Sequence, residues 1–270
     1  MIKKISLALS LAFTAPLVMA ADPSIDEIIN KTNYMSYYQG QDGKAKVKMT
    51  ITDAQNRVRH RQFTILRKDV STTDSLENNA YGGDQKMYVY FNRPADVNKM
   101  VFMVLKYPTK NDDRWLYLPS LDLVKRIAAT DKRTSFVGSD FLYEDVSGRN
   151  LEEDKHELTG TDDNYYIVKN TPVKPDSVEF SHYVMYIHKG SFLPIQTEYF
   201  DKNGAKYKVY TALNVETVQG KPTITKSEAK NFKTGGSTVM EYSKVSYDNG
   251  LPDDIFTERY LRKAPKKYLR

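Results

Sequence analysis

Lys44-Ala-Lys-Val-Lys-Met-Thr-Ile-Thr52 alternates without a break. Ala45, Val47, Met49 and Ile51 point one way; Lys44, Lys46, Lys48, Thr50 and Thr52 point the other. Successive side chains of a strand leave on opposite faces, so this is a strand with one buried and one wet face. Asp53 to Asn56 supplies turn residues, and Arg57 to Arg67 reads as the returning strand. Upstream, Ser24-x-x-Glu27 fits a capping box, and Ile25, Ile28, Ile29 and Thr32 recur at helical spacing. A short helix therefore precedes the strand and ends by Gly40 and Gly43.

Downstream, the polar, Gly/Asn-rich stretch from Val70 to Asp84 predicts a loop. Strands are expected at Met87 to Phe91, Met100 to Tyr107, Arg114 to Leu118 and Leu123 to Ala128. Phe136 to Val146 is less regular and admits a helix. Strand signals resume at Tyr165 and recur as far as Tyr247, with Asp201-Lys-Asn-Gly204 as a hairpin turn. About eleven strands at regular spacing, without βαβ alternation, predict a mainly β, antiparallel fold. No repeat and no Pro- or Gly-rich linker divides residues 21–270, so one domain is expected.

Tyr88-Val89-Tyr90-Phe91 is apolar on both faces. Two readings stay open. One is a sheet with a tyrosine-rich wet surface, since a tyrosine can keep its hydroxyl in water. The other is a sheet wrapped around an apolar cavity.

Lys3 and Lys4, a charge-free run from Ile5 to Val18, and Val18-Met19-Ala20 ahead of Ala21 have the pattern of a cleavable signal peptide over residues 1–20. The apolar run is short of the roughly 20 residues a spanning helix needs. The expected compartment is the periplasm. The chain of 270 residues has no cysteine. That excludes disulfides, thiolate metal sites, cysteine nucleophiles and a lipid anchor on a post-cleavage cysteine. The formal charge of +6 comes from 40 Lys+Arg against 34 Asp+Glu. Most of it resides in Lys3, Lys4 and the tail 258–270, and the body between them is nearly neutral. With export, nucleic acid is not an expected partner.

Catalytic patterns are scarce. No HExxH, GxSxG or phosphate-binding glycine loop occurs. His182 and His188 share a strand face but stand about 20 Å apart, too far for one metal ion. Asp140, Glu144 and Asp145, with Arg126, Lys132 and Arg133, read as a charge network, and Asp140 and Glu144 share a face if their segment is helical. No catalytic residue, metal or cofactor is expected. Arg259, Arg262, Lys263, Lys266 and Lys267 crowd the end of the chain and are candidates for contact with a partner or an anionic membrane surface.

Asn92-Arg-Pro-Ala-Asp-Val97, Arg114-Trp-Leu-Tyr-Leu-Pro119, Lys125-Arg-Ile127 and Ser135-Phe-Val-Gly-Ser-Asp-Phe-Leu-Tyr-Glu-Asp145 resemble the LolA-like group of outer-membrane lipoprotein-sorting proteins. Phe192-Leu-Pro-Ile195, Asp201-Lys-Asn-Gly204 and Leu251-Pro-Asp-Asp-Ile-Phe256 agree with it. The resemblance implies an unclosed antiparallel β-barrel of about eleven strands, with a few short helices covering the open side. It implies a periplasmic carrier whose apolar concave surface holds acyl chains of lipids or lipoproteins and delivers them toward the outer membrane. It also implies an inner-membrane RND-type exporter and an outer-membrane acceptor as partners. A non-carrier accessory or sensor module of an envelope transporter is the alternative on the same fold. A monomer is expected.

The candidate cavity residues are Val47, Met49, Ile51, Met87, Val89, Phe91, Phe102, Val104, Trp115, Tyr183, Met185 and Ile187. Methionines among them suit a variable chain because the thioether is adaptable. On this reading Val47→Glu or Val89→Glu weakens binding of a fluorescent fatty acid with only partial loss of fold. Normal binding by either variant would place the inner face elsewhere.

Overall fold

The computed structural model describes residues 22–70 and 83–270. The expected signal peptide, and most of the expected loop between Val70 and Asp84, lie outside the described residues.

Ser24 caps helix α1 (Ile25–Asn33), its hydroxyl accepting from the Glu27 amide at 3.2 Å. The helical segment stops just before Gly40, as its glycines predict, but its last turn is not α-helical. It widens into a π-helical turn, Tyr34–Tyr38, before the chain enters the sheet.

The sheet has thirteen antiparallel strands: β1 (Asp42–Thr52), β2 (Val58–Val70), β3 (Asp84–Arg93), β4 (Val101–Lys106), β5 (Asp113–Leu118), β6 (Leu123–Ile127), β7 (Asp154–Thr161), β8 (Tyr165–Pro172), β9 (Phe180–His188), β10 (Pro194–Asp201), β11 (Lys206–Val218), β12 (Lys221–Asn231) and β13 (Gly236–Tyr247). Their spatial order is β6-β5-β4-β3-β2-β1-β13-β12-β11-β10-β9-β8-β7. Each strand pairs with its sequence neighbour except at one place. β1 and β13 join the two ends of the chain, while β6 and β7 remain apart. The result is an up-and-down sheet left open at one seam. The expected count of about eleven falls short chiefly because β7, Asp-Lys-His-Glu-Leu-Thr-Gly-Thr, is polar and mostly exposed and carries no apolar alternation.

The register fixes two faces. Ala45 opposes Ile65, Val47 opposes Phe63 and Tyr242, and Val89 opposes Ile65 and Phe102, so these share the inner face. Tyr88, Met103, Trp115 and Tyr117 lie on the other side. Over β2 to β5 both faces are covered by the chain itself. On the inner face the segment between β6 and β7 folds back, and Phe136 sits among Phe63, Phe91, Phe102 and Tyr143 with ring centroids 5.5–6.1 Å away. On the outer face the chain end lays Leu251, Ile255, Phe256, Leu261 and Leu269 over Leu66, Tyr88, Val101, Met103 and Trp115. The basic tail is therefore no free end. Its apolar residues are packed, and its charges ride outward on α3 (Arg259–Arg262) and α4 (Lys266–Leu269).

Within the seam segment α2 (Tyr143–Ser147) is the one α-helix, with single 3-10 turns at Ala129–Asp131 and Leu151–Glu153. Asp140 precedes it and accepts from the Thr238 hydroxyl at 2.8 Å, so it shares no helix face with Glu144. Gly148 ends α2 at φ +81°, and a Cβ there would meet Lys106 Nζ and Tyr37 Cζ at 2.9 Å. Only glycine meets both demands. Glu144, 2% exposed, pairs with Lys132 at 2.7 Å, with Arg149 at 3.3 Å and with Arg133. Arg133 continues to Glu179 at 2.6 Å, and Arg149 to Asp154 at 2.7 Å. This network spans the seam to β7 and the approach to β9. Arg126 is not part of it; it pairs with Asp113 on the neighbouring strand.

Burial raises the Glu144 pKa, but Arg133, Arg149 and Lys132 outweigh it and hold the carboxyl at about 2. A folded pKa below the unfolded value of about 4.3 adds stability that is complete above pH ~4.3 and lost as pH falls through about 2. Urea midpoints measured between pH 5 and pH 2 should therefore fall more steeply in the wild type than in Glu144→Gln. Equal slopes would remove Glu144 from the account. Phe136→Ala should cost about 3–5 kcal/mol, because it opens a cavity at the centre of the aromatic cluster. Val47 and Val89 are 3% and 0% exposed. A glutamate at Val89 is shut away from solvent in an apolar cluster, so the expected result is unfolding, read as loss of a cooperative thermal transition, rather than a folded protein with weaker binding.

Candidate functional site

The seam segment does not cover the whole inner face. Beyond it, α1 and its π-turn bridge the sheet and leave a cavity of about 440 Å³. That volume falls within the ~300–1,000 Å³ typical of small-molecule sites. Its sheet wall is built by Ala45, Ile65, Met87, Met240 and Tyr242. The cover is Ile29, Met35 and Tyr37, and the far wall is Met185, Leu193, Tyr199 and Tyr210. Phe141 and Val146 close the end against the seam segment.

α1 takes this position because Ile28 and Ile29 pack against Tyr166, Val168 and Ile187. Its far end is pinned by Arg67. That guanidinium donates to the carbonyls of Tyr37 and Gln39 and, at 2.9 Å, to that of Gly40. Carbonyls at a helix end lack intrahelical partners, and a cation among them is favourable. Gln85 adds a bond to Tyr37 O at 2.8 Å and another to Asp69 Oδ1 at 2.7 Å. Burial lifts the Asp69 carboxyl to about 6, against the opposing pull of Arg67 and Gln85.

The polar side chains of the wall are mostly spoken for by the protein. Arg149 is taken by Asp154, Glu153 and Glu144. His156 is held between Asn170 Oδ1 at 2.6 Å and Leu151 O at 3.1 Å. Asp145 accepts from the Leu142 amide at 2.7 Å and from the Tyr210 hydroxyl. Burial pushes the hydroxyls of Tyr37, Tyr199 and Tyr210 well above the usual phenol range and raises that of Tyr242, so these rings stay neutral. Thr32 Oγ1 is buried without a hydrogen-bond partner. The cavity thus presents methylene, thioether and ring surface. Arg149 and Asp145 are locked into structural bonds, an arrangement suited to holding an apolar molecule.

The residues anticipated from sequence divide into five places. Met87, Tyr183 and Met185 line the cavity. Val47, Met49, Ile51, Val89, Phe91, Phe102 and Val104 are on the same face but lie in the cluster covered by Phe136, Phe141 and Tyr143. Ile187 is under α1. Trp115 is on the opposite face, beneath the chain end and with the Arg126 guanidinium 5.9 Å from its ring. Arg259, Arg262, Lys263, Lys266 and Lys267 are exposed. Sequence reasoning missed Met35, Tyr37, Tyr199, Tyr210, Met240 and Tyr242. The last two carried a readable signal, since Thr238, Met240 and Tyr242 alternate with exposed or half-buried neighbours. Met35 and Tyr37 carried none, because a π-turn breaks the 3.6-residue period.

A family described as an uncharacterized protein matches residues 83–263. No curated protein matches the chain. A DUF1329 family protein from Desulfovibrio piger is 28% identical, with a TM-score of 0.77, covering 88% of this chain and 97% of its own. A domain from Vibrio parahaemolyticus assigned to outer membrane lipoprotein sorting is 26% identical, with a TM-score of 0.76 and the same coverage. A LolA superfamily protein from Nitrosomonas europaea shares the fold at 19% identity, with a TM-score of 0.66 over 88% of this chain and 99% of its own. Among the described residues no helix is long and apolar enough to cross a membrane. The family match spans more than half of the chain and these structures share its fold, so the chain belongs to the LolA-like family.

Proposed function

We propose that this protein carries acyl chains of lipids or lipoproteins through the periplasm toward the outer membrane. The observation that supports this reading most is the cavity beneath α1, walled by methionine and tyrosine, with Arg67, Arg149, His156 and Asp145 all engaged by the protein's own groups. An apolar chain entering it leaves water at a gain of about 0.8 kcal/mol per methylene. Met35, Met87, Met185 and Met240 can reshape around chains of different length and unsaturation. The signal-peptide pattern of residues 1–20 supports the compartment. An inner-membrane RND-type exporter and an outer-membrane acceptor are the proposed partners, and Arg259, Arg262, Lys263, Lys266 and Lys267 are the proposed contact residues.

Mass spectrometry of lipid extracted from the purified mature protein, with titration of a fluorescent fatty acid, tests the reading. Bound lipid and saturable uptake are expected. Protein that is always empty and takes up no probe would contradict it. Met185→Glu and Ala45→Phe reach the cavity wall and leave the aromatic cluster under Phe136 intact. Each should displace about three methylenes of contact, costing about 2 kcal/mol or roughly 30-fold in affinity, with little change in the thermal midpoint. Wild-type affinity in both variants would move the binding site away from this cavity.

A further inference from the structure

The strands β12 and β13 part company beside the cavity. β12 stays paired with β11 along its whole length, as far as Lys221 opposite Val218. β13 stays paired with β1 as far as Tyr247 opposite Gly43. Between β12 and β13, however, pairing runs only from Asn231 opposite Gly236 to Lys226 opposite Glu241. The cause is visible in the register of β13. Lys44 opposes Ser246 and Lys46 opposes Ser243, so Lys244 and Val245 together face the single residue Ala45. Lys244 takes φ +51°. A bulge of this kind bends its strand and sharpens the local twist, which here turns β13 away from β12.

Both lips of this cleft line the cavity: Thr223 and Ile224 from β12, Tyr242, Val245 and Tyr247 from β13. Side chains bridge it. The hydroxyls of Thr223 and Tyr247 are 2.8 Å apart, Gln219 Oε1 accepts from the Tyr247 amide at 2.7 Å, and Gln39 donates to Pro222 O at 2.8 Å. A latch of side-chain bonds opens without breaking a strand ladder. Outside the bulge stand Lys44, Lys46 and Lys244. Glu241 pairs with Lys48 at 3.8 Å and Lys226 at 3.3 Å, but among the described residues no carboxylate side chain pairs with Lys44, Lys46 or Lys244. Burial first, and then Lys46 and Lys244, make the Lys44 ammonium give up its proton more readily, as expected of a crowded cationic group. Lys44 Nζ donates to the main-chain oxygen of Arg270, which brings the end of the chain to the same place.

We propose that the cleft between β12 and β13 is the portal of the cavity, and that its ligand is an anionic amphiphile: the acyl chain passes Val245 into the cavity, and the headgroup rests on Lys46 and Lys244. This rests on the carrier reading and names the ligand class and route for it. A carboxylate or a phosphate headgroup satisfies the same cationic cluster.

Two experiments test it. The first compares a pyrene-labelled fatty acid with its alcohol, and pyrene-labelled phosphatidylglycerol with phosphatidylcholine, on wild type and on Lys46→Ala/Lys244→Ala. The anionic probes should bind more tightly than their neutral-headed counterparts. The double variant should lose roughly tenfold for them and nothing for the others, the effect of two exposed ion pairs near the top of their range. Which anionic probe gains more identifies the headgroup. The second uses the absence of native cysteine. Thr223→Cys/Tyr247→Cys joined by a short bismaleimide should exchange probe at least tenfold more slowly than the same variant unjoined. Equal affinity for charged and neutral heads, together with equal exchange rates joined and unjoined, overturns the portal while leaving the carrier reading standing. A wild type that binds none of the four probes overturns the carrier reading and the portal with it.

Discussion

The seam between β6 and β7 is held apart by the segment that connects them, and the rest of the structure follows from that. An antiparallel sheet of thirteen strands whose sequence neighbours pair in order could close into a barrel. Here residues 128–153 fold into the opening instead. Phe136 is seated in the aromatic cluster, and Glu144 is tied to Lys132, Arg133 and Arg149. A buried carboxylate with three cations is costly to assemble and more costly to break, because removing one partner strands the others away from water. The segment is thus fixed by dispersion at its apolar tip and by charge at its base.

The cavity is what that segment leaves uncovered. Its reach ends at Phe141 and Val146, and α1 covers the remaining inner face from a distance set by Ile28 and Ile29 on one side and the Arg67 clamp on the other. Space remains because the covering element is a single amphipathic helix running into a π-turn, too narrow to fill a wide curved sheet. On the outer face the chain end packs over β2 to β5 through Leu251, Phe256 and Leu261.

Much of the architecture was legible in the sequence. The alternation of Lys44 to Thr52 set one strand's two faces, and the register places Val47, Met49 and Ile51 on the inner face as read. The two-faced apolar strands were harder. Tyr88-Val89-Tyr90-Phe91 allowed a wet tyrosine surface or a cavity wall, but Val89 and Phe91 meet the seam segment while Tyr88 meets the chain end. Periodicity reports which faces are covered and is silent on what covers them. That is why Trp115, a good apolar candidate by composition, lies on the opposite face from the cavity. β7 was illegible because its inward positions are Asp154 and His156, polar residues buried or half-buried by partnership with Arg149 and Asn170 rather than by apolar character.

In the proposed carrier the space under α1, rather than another apolar surface of the molecule, receives the acyl chain. Methionine methyl groups report on it without disturbing it. Met35, Met87, Met185 and Met240 line the cavity, while Met103 lies under the chain end on the outer face. In a titration of methyl-labelled protein with a long-chain fatty acid followed by NMR, those four resonances should shift in a saturable way and Met103 should not. Shifts confined to Met103, or no saturable shift at any cavity methionine, would contradict the account.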